Sequence, residues 1–267
     1  SCFDQALPVF PLSLAAPAEP GKLNMANAGA VLGAIEQAVT HIRDGRAAAV
    51  VTNPIQKSTL YAAGFKHPGH TEFLAELCGG KHVPVMMLSC PDLRTVPVTI
   101  HLALEDAVAA LTTEMIVERA LITAEALDRD LGLSPPRLAI AGLNPHAGES
   151  GELGSAEGEI IQPAIDQLRA KGLQVIGPLA ADSMFHEAAR RNYDAAICMY
   201  HDQALIPVKA LGFEYGINTT LGLPIVRTSP DHGTALDIAG QGRASPQSLT
   251  SAVAYAGLMA RHRAKAA

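Results

Sequence analysis

The sequence predicts an α/β fold of helices alternating with parallel strands, and three observations carry that expectation. First, Ala47–Val51, Leu138–Leu143 and Ala195–Met199 are short apolar runs without polar alternation, the pattern of strands buried on both faces of a sheet. Second, stretches with a 3.6-residue apolar period separate these runs. Third, hydrophobic residues make up 48% of the chain while aromatics make up only 4% and Trp is absent. The core is therefore aliphatic and alanine-rich, which suits helices packed on parallel strands. With 267 residues the chain can bury a sizeable core, and its length corresponds to about two domains. Two lobes are expected.

Taken in order, Leu7–Leu14 reads as an edge strand because Pro8 and Pro11 interrupt it. Ala15–Gly21 is a Pro/Ala loop. Asn27 is placed to cap a helix whose apolar face is Val31, Leu32, Ile35, Ala38, Val39 and Ile42, stopped by Gly45. Ala47–Val51 ends in the polar Thr52-Asn53-Pro54. Gln56–Ala63 is a short helix closed by Gly64, and Glu72–Cys78 is another. Val83–Ser89 and Thr95–Ile100 flank a Cys-Pro-Asp-Leu turn and form a hairpin. Glu105–Leu111 and Thr113–Leu131 are helical, the second ended by Gly132. After the strand Leu138–Leu143, a helix starts at Ser155 with Glu157 and Glu159 in its first turn, where negative charge suits the dipole, and runs to Ala170. Leu173–Ile176, Ala195–Met199, Ile217–Thr220 and Leu223–Val226 are strands. Pro246, after Ser245, opens a last helix reaching about Arg263.

Charge and cysteines narrow the function classes. Net charge is −6 with a pI near 5.9 and no basic cluster, which argues against nucleic acid as a partner. Cys2, Cys78, Cys90 and Cys198 lie far apart with no CxxC pair, and three of them sit in or beside apolar segments, so they read as buried free thiols of a reducing cytoplasm. No apolar run approaches a membrane span and no signal peptide is visible. The chain opens without Met directly before a strand-like segment, from which an incomplete N-terminus is expected.

Three strands each deliver a histidine to their carboxyl end: Val96–Ile100 runs into His101, Leu138–Leu143 into Asn144-Pro145-His146, and Ala195–Tyr200 into His201-Asp202. In open α/β sheets that edge is where ligands bind. A single loop histidine is more often a surface residue. Three at equivalent strand ends leave surface roles and a catalytic metal site both open, the latter suited to Zn²⁺, Co²⁺ or Ni²⁺. Asp202 and Asp182 are either turn residues or partners that orient an imidazole. His70-Thr71 stands at a helix start, where free N–H groups attract phosphate or carboxylate. Lys57, Lys209 and Arg227 lie near element ends, and Asn218 sits inside an apolar strand. Solvated side chains are the plainer account of each cation; Arg227, directly after Leu223–Val226, departs from it most. The segment Asp231–Gly242, with His232, Gly233, Thr234 and Asp237, suits either close approach to a ligand or an ordinary capped helix. No GxGxxG follows a strand, so any nucleotide is bound in a non-Rossmann way.

Five stretches then carry a resemblance: His70-Thr-Glu-Phe-Leu, Gly142-Leu-Asn-Pro-His-Ala-Gly-Glu149, Met199-Tyr-His-Asp-Gln203, Leu221-Gly-Leu-Pro-Ile-Val-Arg-Thr-Ser229 and Asp231-His-Gly-Thr-Ala235. Together, in register from about Leu7 to the last helix, they resemble the 4-hydroxythreonine-4-phosphate dehydrogenase family of pyridoxal phosphate biosynthesis. The segment Asp231–Gly242 also looks like the adenosine-binding loop of isocitrate and isopropylmalate dehydrogenases, whose fold that family shares. The resemblance implies two-lobed α/β/α subunits, residues 1–69 with 210–267 and residues 70–209, with the active site in the cleft between lobes. It implies a cytoplasmic homodimer with shared sites and no membrane partner. It places one divalent ion (Zn²⁺, Co²⁺ or Mg²⁺) on His101, His146 and His201, substrate on His70, Thr71, Lys209, Asn218 and Arg227, and NAD or NADP on His232, Gly233, Thr234 and Asp237. Asp202, Asp182 and Lys209 fall to catalysis, with the base left open. The implied reaction oxidises 4-phosphooxy-L-threonine at its C3 hydroxyl to 2-amino-3-oxo-4-phosphooxybutanoate, which loses CO₂ to give 3-amino-2-oxopropyl phosphate.

Two departures stand out. The family's N-terminal strand with its Gly-Asp-Pro-x-Gly-Ile-Gly loop is absent from this sequence, and Gln56 occupies a position where a histidine is frequent. Rival readings are a paralogue acting on 4-phospho-D-threonate or erythronate, or on a carboxylated dihydrodiol. A three-histidine metal-dependent hydrolase or lyase and a non-catalytic binding or dimer partner complete the set.

Overall fold

The computed structural model of the chain describes residues 4–62, 64–67 and 69–266. In chain order the elements are α1 (Ala28–Arg43), β1 (Val50–Val51), α2 (Lys57–Ala62), α3 (His70–Leu77), β2 (Val85–Cys90), β3 (Leu93–Pro97), α4 (Leu104–Ala110), α5 (Thr113–Leu131), β4 (Arg137–Ala141), α6 (Gln162–Ala170), β5 (Gln174–Leu179), α7 (Glu187–Arg190), β6 (Ala195–Cys198), α8 (His201–Gly212), β7 (Ile217–Leu221), β8 (Arg227–Pro230) and α9 (Gln247–Ala266). The eight strands form one sheet in the order β1-β8-β7-β2-β3-β6-β4-β5. Strands β3, β6, β4 and β5 run parallel, while β8-β7-β2-β3 are joined by antiparallel ladders. The sheet is thus mixed rather than wholly parallel.

Alternation along the strands sorts the core into two layers. Leu138, Ile140, Ala195 and Ile197 pack against α5 and α6 on one face, whereas Ala139, Ala141, Ala196 and Cys198 face Ala204 and Val208 of α8 on the other. Large aliphatics hold the first layer, and small side chains bring α8 close to the sheet on the second. The clasp is tight enough that Thr95 Oγ1 donates to the Ala204 carbonyl at 2.9 Å. A third cluster joins α1, β1, α2 and α3 with Leu223 and Ile225.

Several expectations hold, with shifted ends. The β2–β3 hairpin pairs Cys90 with Leu93. Thr112 caps α5 through Met115 N–H at 3.2 Å, and Gly132 ends it in the left-handed region at φ 67°. The helix Gln56–Ala63 is observed as α2, with Ala63 outside the described residues. Pro246 precedes α9, its carbonyl accepting from Thr250 N–H at 2.9 Å.

Four readings need correction. Leu7–Leu14 is not a strand; it is an exposed extended segment without ladder partners among the described residues, and its prolines lack the N–H groups a ladder needs. Asn27 does not cap α1 with its side chain, which instead holds the backbone of Ala16 with two 2.9 Å bonds. Leu223–Val226 is a buried loop rather than a strand. Arg263, itself anchored on the buried Asp130, donates to Pro224 O at 2.8 Å and Leu223 O at 3.3 Å, and Val226 O accepts from Val50 N–H at 2.9 Å. The strand begins at Arg227, directly after the expected one ends. Finally, Glu157–Ile161 is a π-helical turn leading into α6, and Glu157 turns back toward the end of β4 instead of serving the helix dipole. Cys78, Cys90 and Cys198 are free thiols, of which only Cys198 is fully buried; Cys2 lies outside the described residues.

Candidate active site

Over the α8 face of the sheet, where β2, β7 and β8 run side by side, lies a cavity of ≈ 480 Å³. Register decides which side chains enter it. Asn218 stands opposite Ser229, and Arg227 opposite Thr220, so residues two apart on neighbouring strands share this face. Asn218, Arg227 and Ser229 line the cavity floor; His70, Thr71 and Glu72 at the start of α3, Lys57 of α2, His101 and Lys209 of α8 close its sides. All five residues assigned to substrate, His70, Thr71, Lys209, Asn218 and Arg227, therefore line one cavity.

Arg227 is the centre of its electrostatics. It is only 4% exposed; Nη1 donates to Thr220 Oγ1 at 3.0 Å and Nη2 to Thr52 Oγ1 at 2.8 Å. Its Nε has no partner, and neither bonded partner carries charge. Burial pulls its pKa down to about 10, opposed by the nearby Glu72 carboxylate. A buried guanidinium with an unmet donor is costly unless an anion arrives. His70 responds to the same field: burial, then Arg227, then Lys57 hold its pKa at about 4, so it enters the cavity as a neutral imidazole. Lys209 is tied down, with Nζ 2.8 Å from Asp231 Oδ2 and 5.6 Å from the Phe213 ring centre.

The metal candidates are split. His101 and His201 follow the carboxyl ends of the adjacent parallel strands β3 and β6, and their ring centres are 6.0 Å apart. Asp202 Oδ1 lies 2.7 Å from His201 Nδ1, which leaves Nε2 free to ligate. Burial, then Lys57 and His201, lower the His101 pKa and so favour its neutral form. Both histidines line a smaller cavity of ≈ 260 Å³ walled by Leu102, Leu104 and Tyr200. His146 is exposed on the turn after β4 and lines neither cavity. Among the described residues, no three potential ligands of one chain gather closely enough to hold an ion. Two imidazoles backed by a carboxylate fit a divalent ion as donors.

The turn carrying His146 is strained. Within Pro145–Gly151, residues His146, Ala147, Gly148, Glu149 and Ser150 have φ of 52°, 52°, 78°, 43° and 60°. Each non-glycine residue there costs about 1–2 kcal/mol. His101 has the same left-handed conformation at φ 52°. Such strain clusters at functional sites.

The remaining candidates lie further out. Asp182 is exposed in the turn after β5 and lines neither cavity. His232 and Gly233 line the larger cavity. Thr234 donates to Gln56 Oε1 at 3.1 Å, and Asp237 is exposed in the short turn Leu236–Ile238. Sequence reasoning missed Glu72, which faces Arg227, and the Thr52 and Thr220 hydroxyls that grip the guanidinium. Only the pairing register of β1, β8 and β7 reveals the last two.

Residues 2–256 match the family model described as pyridoxal phosphate biosynthetic protein PdxA. The chain is 57% identical to a 4-hydroxythreonine-4-phosphate dehydrogenase of Bradyrhizobium diazoefficiens, over 97% of this chain and 76% of the relative. A crystal structure of the enzyme of that name from Klebsiella pneumoniae superposes with a TM-score of 0.83 at 38% identity, covering 91% of this chain and 74% of that one. A terephthalate 1,2-cis-dihydrodiol dehydrogenase from Burkholderia xenovorans superposes with a TM-score of 0.67 at 30% identity, covering 90% and 76%.

Proposed function

The chain belongs to the PdxA family of 4-hydroxythreonine-4-phosphate dehydrogenases, α/β enzymes of the isocitrate/isopropylmalate dehydrogenase-like fold type, and from that premise we propose a metal-dependent, NAD(P)-linked oxidation of 4-phosphooxy-L-threonine at C3. Arg227 carries the reading: a buried guanidinium with a free Nε, facing a polar cavity beside Lys57 and Lys209, is built for a dianionic group. The α3 start supplies free N–H groups and the Thr71 hydroxyl to the same anion. Neutral His70 can accept or donate without adding charge. Asn218 has an amide to offer the polar groups along the substrate.

His101 and His201 would hold the divalent ion, with His146 contributed by a second copy of the chain; the ion would polarise the substrate hydroxyl and the ketone that forms. Asp202, which lies 2.7 Å from His201 Nδ1 and fixes its ring, would receive the proton released on oxidation. Lys209, restrained by Asp231, orients the substrate's anionic end. His232, Gly233, Thr234 and Asp237 would hold the nicotinamide cofactor, which would supply the hydride acceptor. Residues 1–69 with 210–267 form one lobe and 70–209 the other. In support of that division, the cavity is lined from both segments. Leu102 and Leu104, which wall the cavity of the histidine pair, are exposed, as is Val108 one turn further along α4, which suits a homodimer interface that completes the site. Free thiols and a modest acidic charge accord with a cytoplasmic enzyme.

The test is NADH or NADPH formation from 4-phosphooxy-L-threonine, before and after chelation, with Zn²⁺, Co²⁺ or Mg²⁺ restored. Turnover that chelation abolishes and metal restores is expected. Turnover only with 4-phospho-D-threonate or a carboxylated dihydrodiol would replace the substrate assignment. Absence of nucleotide binding by calorimetry would overturn the redox reading.

A further inference from the structure

The turn that presents His146 is held by one buried carboxylate. Glu157 is 6% exposed. Its Oε1 accepts from Leu143 N–H at 2.8 Å and Asn144 N–H at 2.7 Å, and its Oε2 accepts from Asn144 Nδ2 at 2.9 Å. Burial alone would raise its pKa, but these hydrogen bonds outweigh burial and hold the carboxyl below its ordinary range. The three donors belong to the two residues that lead from β4 into the strained turn.

The glycines of this segment make room for that pair. A methyl group on Gly148 would lie 2.6 Å from Glu157 Oε2, and one on Gly154 would lie 2.5 Å from Asn144 Nδ2. On Gly142 it would lie 2.9 Å from the Ala147 Cα. From the opposite side, Gln203 accepts from Met199 N–H and donates to the Gly142 carbonyl, both at 2.7 Å. The exit of β4 is thus clamped between Glu157 and a residue two positions after His201.

We infer that Glu157 is a positioning residue for the proposed reaction: it fixes the left-handed turn 146–150 and thereby the direction in which His146 is presented. Four non-glycine residues with positive φ stay in place only if their surroundings over-determine them, and Glu157 supplies three hydrogen bonds at the turn's entry. Glu157 touches neither cavity lined by the substrate and metal candidates, so it acts through the turn. The inference rests on His146 being a metal ligand, and the experiment separates the two claims.

Glu157→Ala, Glu157→Gln and His146→Ala are compared with the wild-type chain by amide hydrogen exchange over residues 143–151, Zn²⁺ calorimetry on the metal-free protein, and separate kcat and KM. Glu157→Ala should speed exchange in 143–151 while strand amides stay protected, weaken Zn²⁺ binding about 10–100-fold, and lower kcat with KM for the nucleotide unchanged. Glu157→Gln keeps an oxygen for the Leu143 and Asn144 N–H groups and should recover most of the metal affinity. Wild-type exchange and wild-type Zn²⁺ affinity in Glu157→Ala would overturn the inference. So would loss of protection throughout the sheet that Glu157→Gln fails to rescue, since that marks a residue needed only for folding. Unchanged Zn²⁺ affinity in His146→Ala would remove the ligand role while the exchange measurement still decides whether Glu157 holds the turn.

Discussion

Arg227 shows how one residue sets the chemistry of a cavity. Its planar head is fixed by Thr52 and Thr220, with Nε left over, and its charge helps keep His70 neutral. Arg227→Met should therefore raise the KM for the phosphorylated substrate by about 100-fold, as expected for a lost charge-assisted contact of ~2–3 kcal/mol, while the chain stays folded. In the same variant the His70 C2–H titration, followed by NMR, should move up from about 4 toward 6.5 without reaching it, because burial is the larger cause. A histidine whose pKa is depressed in the fold takes up its proton more readily when unfolded. In the wild type its contribution to stability is complete above pH 6.5 and is lost as pH falls toward about 4; Arg227→Met should narrow that window in acid-unfolding profiles. The grouping was legible in part: the five substrate candidates line one cavity, and Arg227 at a strand start and His70 at a helix start stand out as polar residues beside apolar runs. Glu157 was misread because a carboxylate in a first helical turn has an obvious local role, and only the turned-back side chain shows the other one.

At the scale of elements, period and punctuation located most helices and strands, and the errors came where the apolar pattern had another cause. Leu223 and Ile225 are apolar because they fill the cluster between α1 and α3, and only Val226, whose carbonyl accepts from Val50 N–H, reaches the ladder. Leu7–Leu14 has the composition of a strand without donors to pair. The inner strands carry a finer message, the division of large and small residues between faces. Ala196 is fully buried against the α8 layer, while its neighbour Ile197 is fully buried against α5 and α6. Ala196→Leu should cost about 1–3 kcal/mol by overpacking a layer with no spare volume, whereas Ile197→Val should cost only about 0.5–1.5 kcal/mol. Urea unfolding midpoints at constant slope check both; equal costs would mean that α8 is free to move outward.

At the scale of the molecule, the α/β class was legible and the sheet order was not. Connections fix which strands follow one another, but the insertion of β2 and β7 between β8 and β3 is decided by long-range pairing. That pairing brings Asn218 and Arg227 alongside His101, and no local pattern encodes it. The histidine triad marks the same boundary. Three strand ends pointed to three ligands, yet β4 delivers His146 to an exposed turn apart from the cavity lined by His101 and His201; on the proposed reading, a second copy of the chain completes the set. Exposed Leu104 walls the cavity of that pair and exposed Val108 lies one turn further along α4, and burying them in a dimer would exclude water from the site. Leu104→Glu combined with Val108→Lys should shift the chain from dimer to monomer in sedimentation velocity at micromolar concentration. The far-ultraviolet spectrum should be unchanged, because both side chains lie outside the core. If the histidine set spans two copies, the same double variant must also lose Zn²⁺ affinity although neither residue can ligate. A monomer that still binds Zn²⁺ with wild-type affinity would confine the metal site to one chain, and His146 would then have to travel to the pair from its turn.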